Sequence, residues 1–144
     1  MLMSPEDQLH QAQTQFLKAL EERSWLTIST TMSDTYLDDW GQNSATALSS
    51  LKLLLGGFTE LHLEPELLKT QHVASTPSNP ALGIVNLKLK VSGQAEGGVS
   101  QQALAEAQRL QEMDSPWVFH WRKEGPWPWS WKLTQVHQED ARTP

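Results

Sequence analysis

Two adjacent carboxylates, Asp38 and Asp39, follow Tyr36 in the segment SDTYLDDW at residues 33–40. Carboxylates beside a phenol can exchange protons in a hydration, cyclisation or dehydration step. Aspartate is also a common turn former, so the same pair suits a turn at a solvated edge. The five histidines, His10, His62, His72, His120 and His137, form no H-x-x-x-H or H-E-x-x-H pattern. A metal site needs three or four converging ligands, so no metal is expected. His62 and Glu64 would share one strand face, as would His120 and Arg122, which allows small polar clusters. No serine lies in a G-x-S-x-G context and no glycine-rich run has the spacing of a phosphate cradle. There is no cysteine, which excludes a disulfide framework, a thiolate nucleophile, an iron–sulfur cluster and cysteine-ligated zinc. No cofactor is expected.

The seven tryptophans are the other residues that invite a function: Trp25, Trp40, Trp117, Trp121, Trp127, Trp129 and Trp131. A fully buried indole removes about 200 Å² from water, a gross gain of roughly 5 kcal/mol at most. Trp117, Phe119 and Trp121 fall on one face of a strand, with Val118, His120 and Arg122 on the other. Trp129, Trp131 and Leu133 repeat the pattern on the last strand. Such rows suit a core, an aromatic ligand pocket or a dimer interface, because rings offer large contact area at low entropy cost. Trp127, held between Pro126 and Pro128, is the least suited to a core and the best placed to meet another chain or ligand.

The elements that must position these residues follow from periodicity. Ser4-Pro5-Glu6-Asp7 reads as a capped helix start, and Leu9, Ala12 or Gln13, Phe16 and Leu20 recur at helical spacing over residues 5–23. Ser24 restarts the pattern, with Trp25, Ile28 and Met32 on one face of a shorter helix whose threonines and serines are poor helix formers. Residues 33–41 read as an extended segment or turn. Asn43 or Ser44 caps a third helix with a broad face of Ala47, Leu48, Leu51, Leu54 and Leu55. Gly56-Gly57 is expected to end it in the left-handed conformation.

The period then changes. Leu61 and Leu63 alternate with His62 and Glu64 in a strand that runs on toward Val73, with a bulge or break at Pro65. Residues 75–80 form a turn, and Leu87, Leu89 and Val91 alternate in a half-buried strand broken at 93–98. An amphipathic helix is expected at 100–113, with Leu104, Ala107, Leu110 and Met113 inward. Strands at 117–123 and 129–137 close a hairpin around Glu124-Gly125-Pro126.

With 144 residues the chain matches one domain, its core at about 5–138 and a loose tail at 139–144. The formal net charge of −6, with eleven Lys and Arg scattered among seventeen acids, excludes nucleic acid as an expected partner. No apolar run approaches a membrane span. The start MLMSPEDQ lacks the basic and apolar regions of a signal peptide. A cytoplasmic location is the default expectation, and an exported form with its signal removed is compatible.

The pieces FLKALEERSW, SDTYLDDW, ATALSSLKLLLGGF, NLKLKVSG and WRKEGPWPWSWKL, in this order over about residues 14–137, resemble the nuclear transport factor 2-like superfamily in an uncharacterised bacterial branch. Ketosteroid isomerases and SnoaL-like cyclases share this cystatin-like cone. The resemblance implies an α+β fold in which N-terminal helices pack in the concave face of a strongly curved mixed or antiparallel sheet. The helix near 100–113 is an insert relative to the simplest family pattern. It also implies a conical ligand pocket, for which Phe16, Tyr36, Trp40, Phe58, Trp117, Phe119 and Trp121 are the lining candidates.

Isomerase chemistry would need a carboxylate base and two neutral donors on the enolate oxygen. The resemblance puts the base at Asp39, the donor tyrosine on Phe16 and the protonated acid near Phe119. Phenylalanine donates no hydrogen bond, so that reaction is not the expected one. The expectation is a cone domain that binds a small apolar molecule, self-associates through its sheet as a homodimer, or does both. The alternative is a lyase, isomerase or cyclase acting on a hydrophobic substrate with Asp39 as general base.

Overall fold

The computed structural model describes residues 3–141. Part of the expected tail, 142–144, lies outside the described residues. Helix α1 spans Pro5–Glu22; Ser4 accepts the Asp7 amide and Pro5 opens the first turn, so the start is built as its residue types dictate. Helix α2 is Trp25–Thr31 and buries Ile28. Helix α3, Ser44–Leu55, begins with a capping box between Asn43 and Thr46. Strand β1 runs Phe58–Val73 and β2 Leu82–Ala95; helix α4 is Gly98–Gln111, and β3, Trp117–Lys123, and β4, Trp131–Gln138, form the last hairpin.

The sheet has the order β1-β2-β3-β4 and every pairing is antiparallel. The parallel element is confined to a single bridge from Met32 to Leu133, where the segment after α2 runs beside β4. Register shifts between Phe58 and Glu60, between Leu67 and Lys69, and between His120 and Trp121 mark bulges that bend the strands into a curved sheet. The strand passes through Pro65, which stands opposite Leu89 on the outermost strand, where a missing N–H costs no ladder bond on the free side.

The helices fill the concave side. Leu9, Phe16, Leu17, Ile28, Met32 and Tyr36 pack with Val85, Leu87, Phe119, Trp121, Trp131 and Leu133. A second cluster of Phe58, Leu61 and Val91 is covered by Leu55 and by Ala103, Leu104 and Ala107 of α4.

Three local expectations are corrected. Gly56 ends α3 in the right-handed conformation, and neither it nor Gly57 has a positive φ. Gly57 is needed for closeness instead, because a Cβ there would lie 2.6 Å from Ser100 Oγ and closer still to the Glu96 carbonyl oxygen. The strand does not break at Gly93, which stays in β2 at φ 143 opposite Leu61, and α4 spans Gly98–Gln111 rather than 100–113. Trp129 is not on a strand face. The second arm begins at Trp131, because Pro126 and Pro128 cannot donate to a ladder and the turn widens to include both tryptophans.

Candidate functional site

The segment from Ser33 to Gln42 lies along the edge of β4. Ser33 donates its amide to the Leu133 carbonyl at 2.8 Å and Leu37 donates to Thr134 at 3.1 Å. An extended run alternates its side chains, so Tyr36 and Asp38 are buried while Leu37 and Asp39 are exposed. The Tyr36 hydroxyl donates to Asp38 Oδ2 at 3.0 Å, and Asp38 Oδ1 accepts the Trp40 and Gln42 amides at 3.0 Å each. Burial, and then the Asp38 charge, raises the Tyr36 phenol above its ordinary value of 10.0. Asp38 therefore builds the turn, and the phenol is committed to it.

Asp39 points away from the helices. Its carboxylate accepts Gln135 Nε2 at 2.7 Å and pairs with His137 Nδ1, and its side chain is 40% exposed. The His137 hydrogen bond holds its carboxyl below the ordinary 3.8. His120, opposite Gln135 in the register, completes the group. Its imidazole is less basic than usual through burial and the neighbouring His137, with Asp39 opposing.

The aromatic candidates are split. Phe16, at 3% exposure, meets Phe119 and Trp121 edge-on with ring centroids 6.3 Å apart. Trp121, 1% exposed, donates its indole N–H to Gln13 Oε1 at 2.9 Å. These three rings are buried together in the main core. Phe58 belongs to the second cluster, while Trp117 and Trp40 are half-buried. Two open depressions lie on the surface. One of about 400 Å³ is lined by Ser29, Thr30, Met32, Asp34, Glu124 and Lys132. The other, of about 240 Å³, is lined by Glu64, Glu66, Lys88, Leu89, Lys90 and Gln111. Neither touches an aromatic candidate.

Beside the first depression, Arg122 Nη2 donates to Ser33 Oγ at 3.0 Å, to Thr35 Oγ1 at 2.5 Å and to Glu124 Oε2 at 2.5 Å. Burial alone would raise the Glu124 carboxyl, but the hydrogen bonds from Ser33 and Arg122 bring it below its ordinary value. This latch ties the 33–35 segment to the hairpin. Trp127 and Trp129, 58% and 73% exposed, stack on one another with centroids 5.5 Å apart and planes 2° from parallel. No group of three or more His, Cys, Asp or Glu among the described residues could hold a metal ion. No helix among them is long and apolar enough to cross a membrane.

Sequence reasoning missed Gln13, Gln135 and His137. Gln13 was legible only as an ambiguity in the apolar stripe of α1, and the other two depend on the register of β4.

No protein-family model matches the sequence, and no curated protein matches it. Solved structures do match. A Nostoc punctiforme protein of unknown function with a cystatin-like fold aligns at TM-score 0.55 and 11% identity, over 94% of this chain and 92% of its own. A nuclear transport factor 2-like protein from Cytophaga hutchinsonii gives 0.56 and 10%, over 93% and 96%. This chain has the nuclear transport factor 2-like cone fold. Bd1075 of Bdellovibrio bacteriovorus carries it as well, at TM-score 0.57 and 12% identity over 90% of this chain, which spans only 38% of that one. At these identities the likeness concerns the cone and not its use. In this cone the helices and the antiparallel sheet have the expected α+β arrangement, and among the described residues both apolar clusters lie on the helix-covered face of the sheet.

Proposed function

We propose that this cone domain pairs with a second copy of itself through the outer face of its sheet and performs no chemistry in its interior. The observation that carries this reading is the contrast between the two faces. The helices' partners on the sheet in the main core are Val85, Leu87, Phe119, Trp121, Trp131 and Leu133, all buried on the concave side. The opposite face presents Ile84, Asn86, Val118, His120, Gln135 and His137, all half-buried.

Size and charge favour a second copy. Strands about 4.8 Å apart, rising about 3.3 Å per residue, give this face roughly 650 Å² of projected area. A corrugated surface exceeds its projection, which brings the face near the ~800 Å² per partner of a stable interface. Toward β1 the face carries Glu64 opposite Lys90 and Glu66 opposite Lys88. These rows of both signs can complement themselves about a two-fold axis.

Sedimentation velocity over a range of concentrations tests the reading. A dimer is expected, and Ile84→Glu or Val118→Glu should dissociate it while leaving the far-ultraviolet dichroism intact. A wild-type chain that stays monomeric at high concentration would refute it.

A second reading, binding of a small apolar molecule at the cone mouth, is favoured by one observation. Leu63, Leu89, Trp117 and Val136 pack against the main core yet stay half-exposed, as do Leu48 and Leu51 of α3 above them. An apolar fluorophore should bind there and lose its signal in Trp117→Ala; no enhancement with the wild type would end this reading. Catalysis with Asp39 as base is supported least, since that carboxylate faces solvent and is engaged by His137 and Gln135.

A further inference from the structure

The outer face carries one ionisable group at its centre. Building on the pairing proposed above, we propose that His120 switches it, so that two copies hold together at neutral and alkaline pH and part on acidification. His120 stands between Ile84 on β2 and Gln135 on β4, both uncharged, in the middle of the face that a second copy would cover. It is half-buried before any partner arrives, so a covering copy would remove the rest of its water. An interface related by a two-fold axis brings the same residue of the second copy into the same contact.

The charged groups around it offer a protonated imidazole no carboxylate of its own. Across from Val118 lies His137, which already occupies Asp39. Two residues along β3 is Arg122, paired with Glu124. Beyond Asn86 on β2 stands Lys69 of β1, another cation. Protonating His120 would therefore bury a charge whose nearest carboxylate, Asp39, is already engaged by His137 and Gln135, which is costly without a partner of its own. Burial and His137 already make the imidazole less basic in the single chain, against Asp39.

Linkage gives the sign. If the paired state excludes the protonated form, it binds fewer protons than separate copies, and lowering the pH drives separation. Below the imidazole's own midpoint, each pH unit should weaken the dimer by up to about tenfold per His120, or up to about a hundredfold for the two in a pair.

The experiment is sedimentation velocity of the whole chain at pH 8 and pH 5.5, with near-ultraviolet dichroism at both to separate dissociation from unfolding. The wild type should be dimeric at pH 8 and monomeric but folded at pH 5.5. His120→Gln, or His120→Asn should that fold better, should stay dimeric at both. If His120→Gln separates on acidification as the wild type does, the switch is elsewhere. A wild type dimeric at both pH values overturns the switch but leaves the pairing standing. One monomeric at both overturns the pairing itself, and loss of dichroism at pH 5.5 overturns the switch.

Discussion

Two glutamines on α1 make the same bond to two buried indoles and differ in one respect. Gln8 Oε1 accepts Trp131 Nε1 at 3.0 Å, and its Nε2 donates to the Met3 carbonyl at 3.1 Å. Gln13 Oε1 accepts Trp121 Nε1 at 2.9 Å, but its Nε2 is buried without a hydrogen-bond partner. Replacing either with leucine, of similar size, strands an indole N–H. A stranded buried donor costs about 1–3 kcal/mol. In Gln13→Leu the same change removes an amide N–H that was already stranded, and the two effects are of similar size. Gln13→Leu should therefore lie within about 1 kcal/mol of the wild type, while Gln8→Leu should lose about 1–3 kcal/mol. Urea unfolding followed by tryptophan fluorescence would separate them by on the order of 1 M in midpoint at unchanged slope. Equal losses would show that the Gln13 amide is satisfied in solution and would refute the reasoning.

Gly57→Ala should destabilise by about 2–4 kcal/mol, because the new methyl meets the Glu96 backbone and Ser100 at less than contact distance; thermal unfolding measures it, and an unchanged Tm would mean that the α3–β1 corner shifts freely. Asp39→Asn tests the edge pair. A carboxyl lowered by its partner contributes stability above its unfolded value and loses it as pH falls through the folded one. Its contribution should therefore vanish below the ordinary 3.8, and the variant should show a flatter acid limb in a stability–pH profile. Coinciding acid limbs would mean that the His137 contact does not persist in water.

Local signals were the most legible. Ser4-Pro5 marked the start of α1, Asn43 the start of α3, and the alternation of Leu87, Leu89 and Val91 lay in β2, because each depends on neighbours in the chain. Whatever depends on register was hidden. Asp39 sits one residue from the buried Asp38, and only the path of the 33–42 segment beside β4 decides which carboxylate enters the core. Trp117, Phe119 and Trp121 share one face of β3 by their spacing, but periodicity cannot distinguish a face turned to the helices from one turned outward. That difference is made by Phe16 arriving from α1. Trp129 was misplaced because alternation continued through residues that two prolines exclude from the ladder.

One residue shows how little separates the two faces of β4. Leu133 stands opposite Trp121 and Gln135 opposite His120, which leaves Thr134 as the extra residue of a bulge. It is fastened on both sides: its hydroxyl donates to the His120 carbonyl at 3.1 Å, and its own carbonyl accepts the Leu37 amide at 3.1 Å. Strict alternation from the buried Trp131 and Leu133 would turn Gln135 and His137 toward the helices and Val136 toward solvent. The bulge reverses this, sending Val136 to the core and placing Gln135 and His137 beside Asp39 and His120. A register slip of one residue exchanges every side chain between faces, so Thr134 carries Gln135 and His137 to the outside. The same residue that completes the core thus creates the outer cluster, and the packed interior and the proposed pairing surface have a common structural origin.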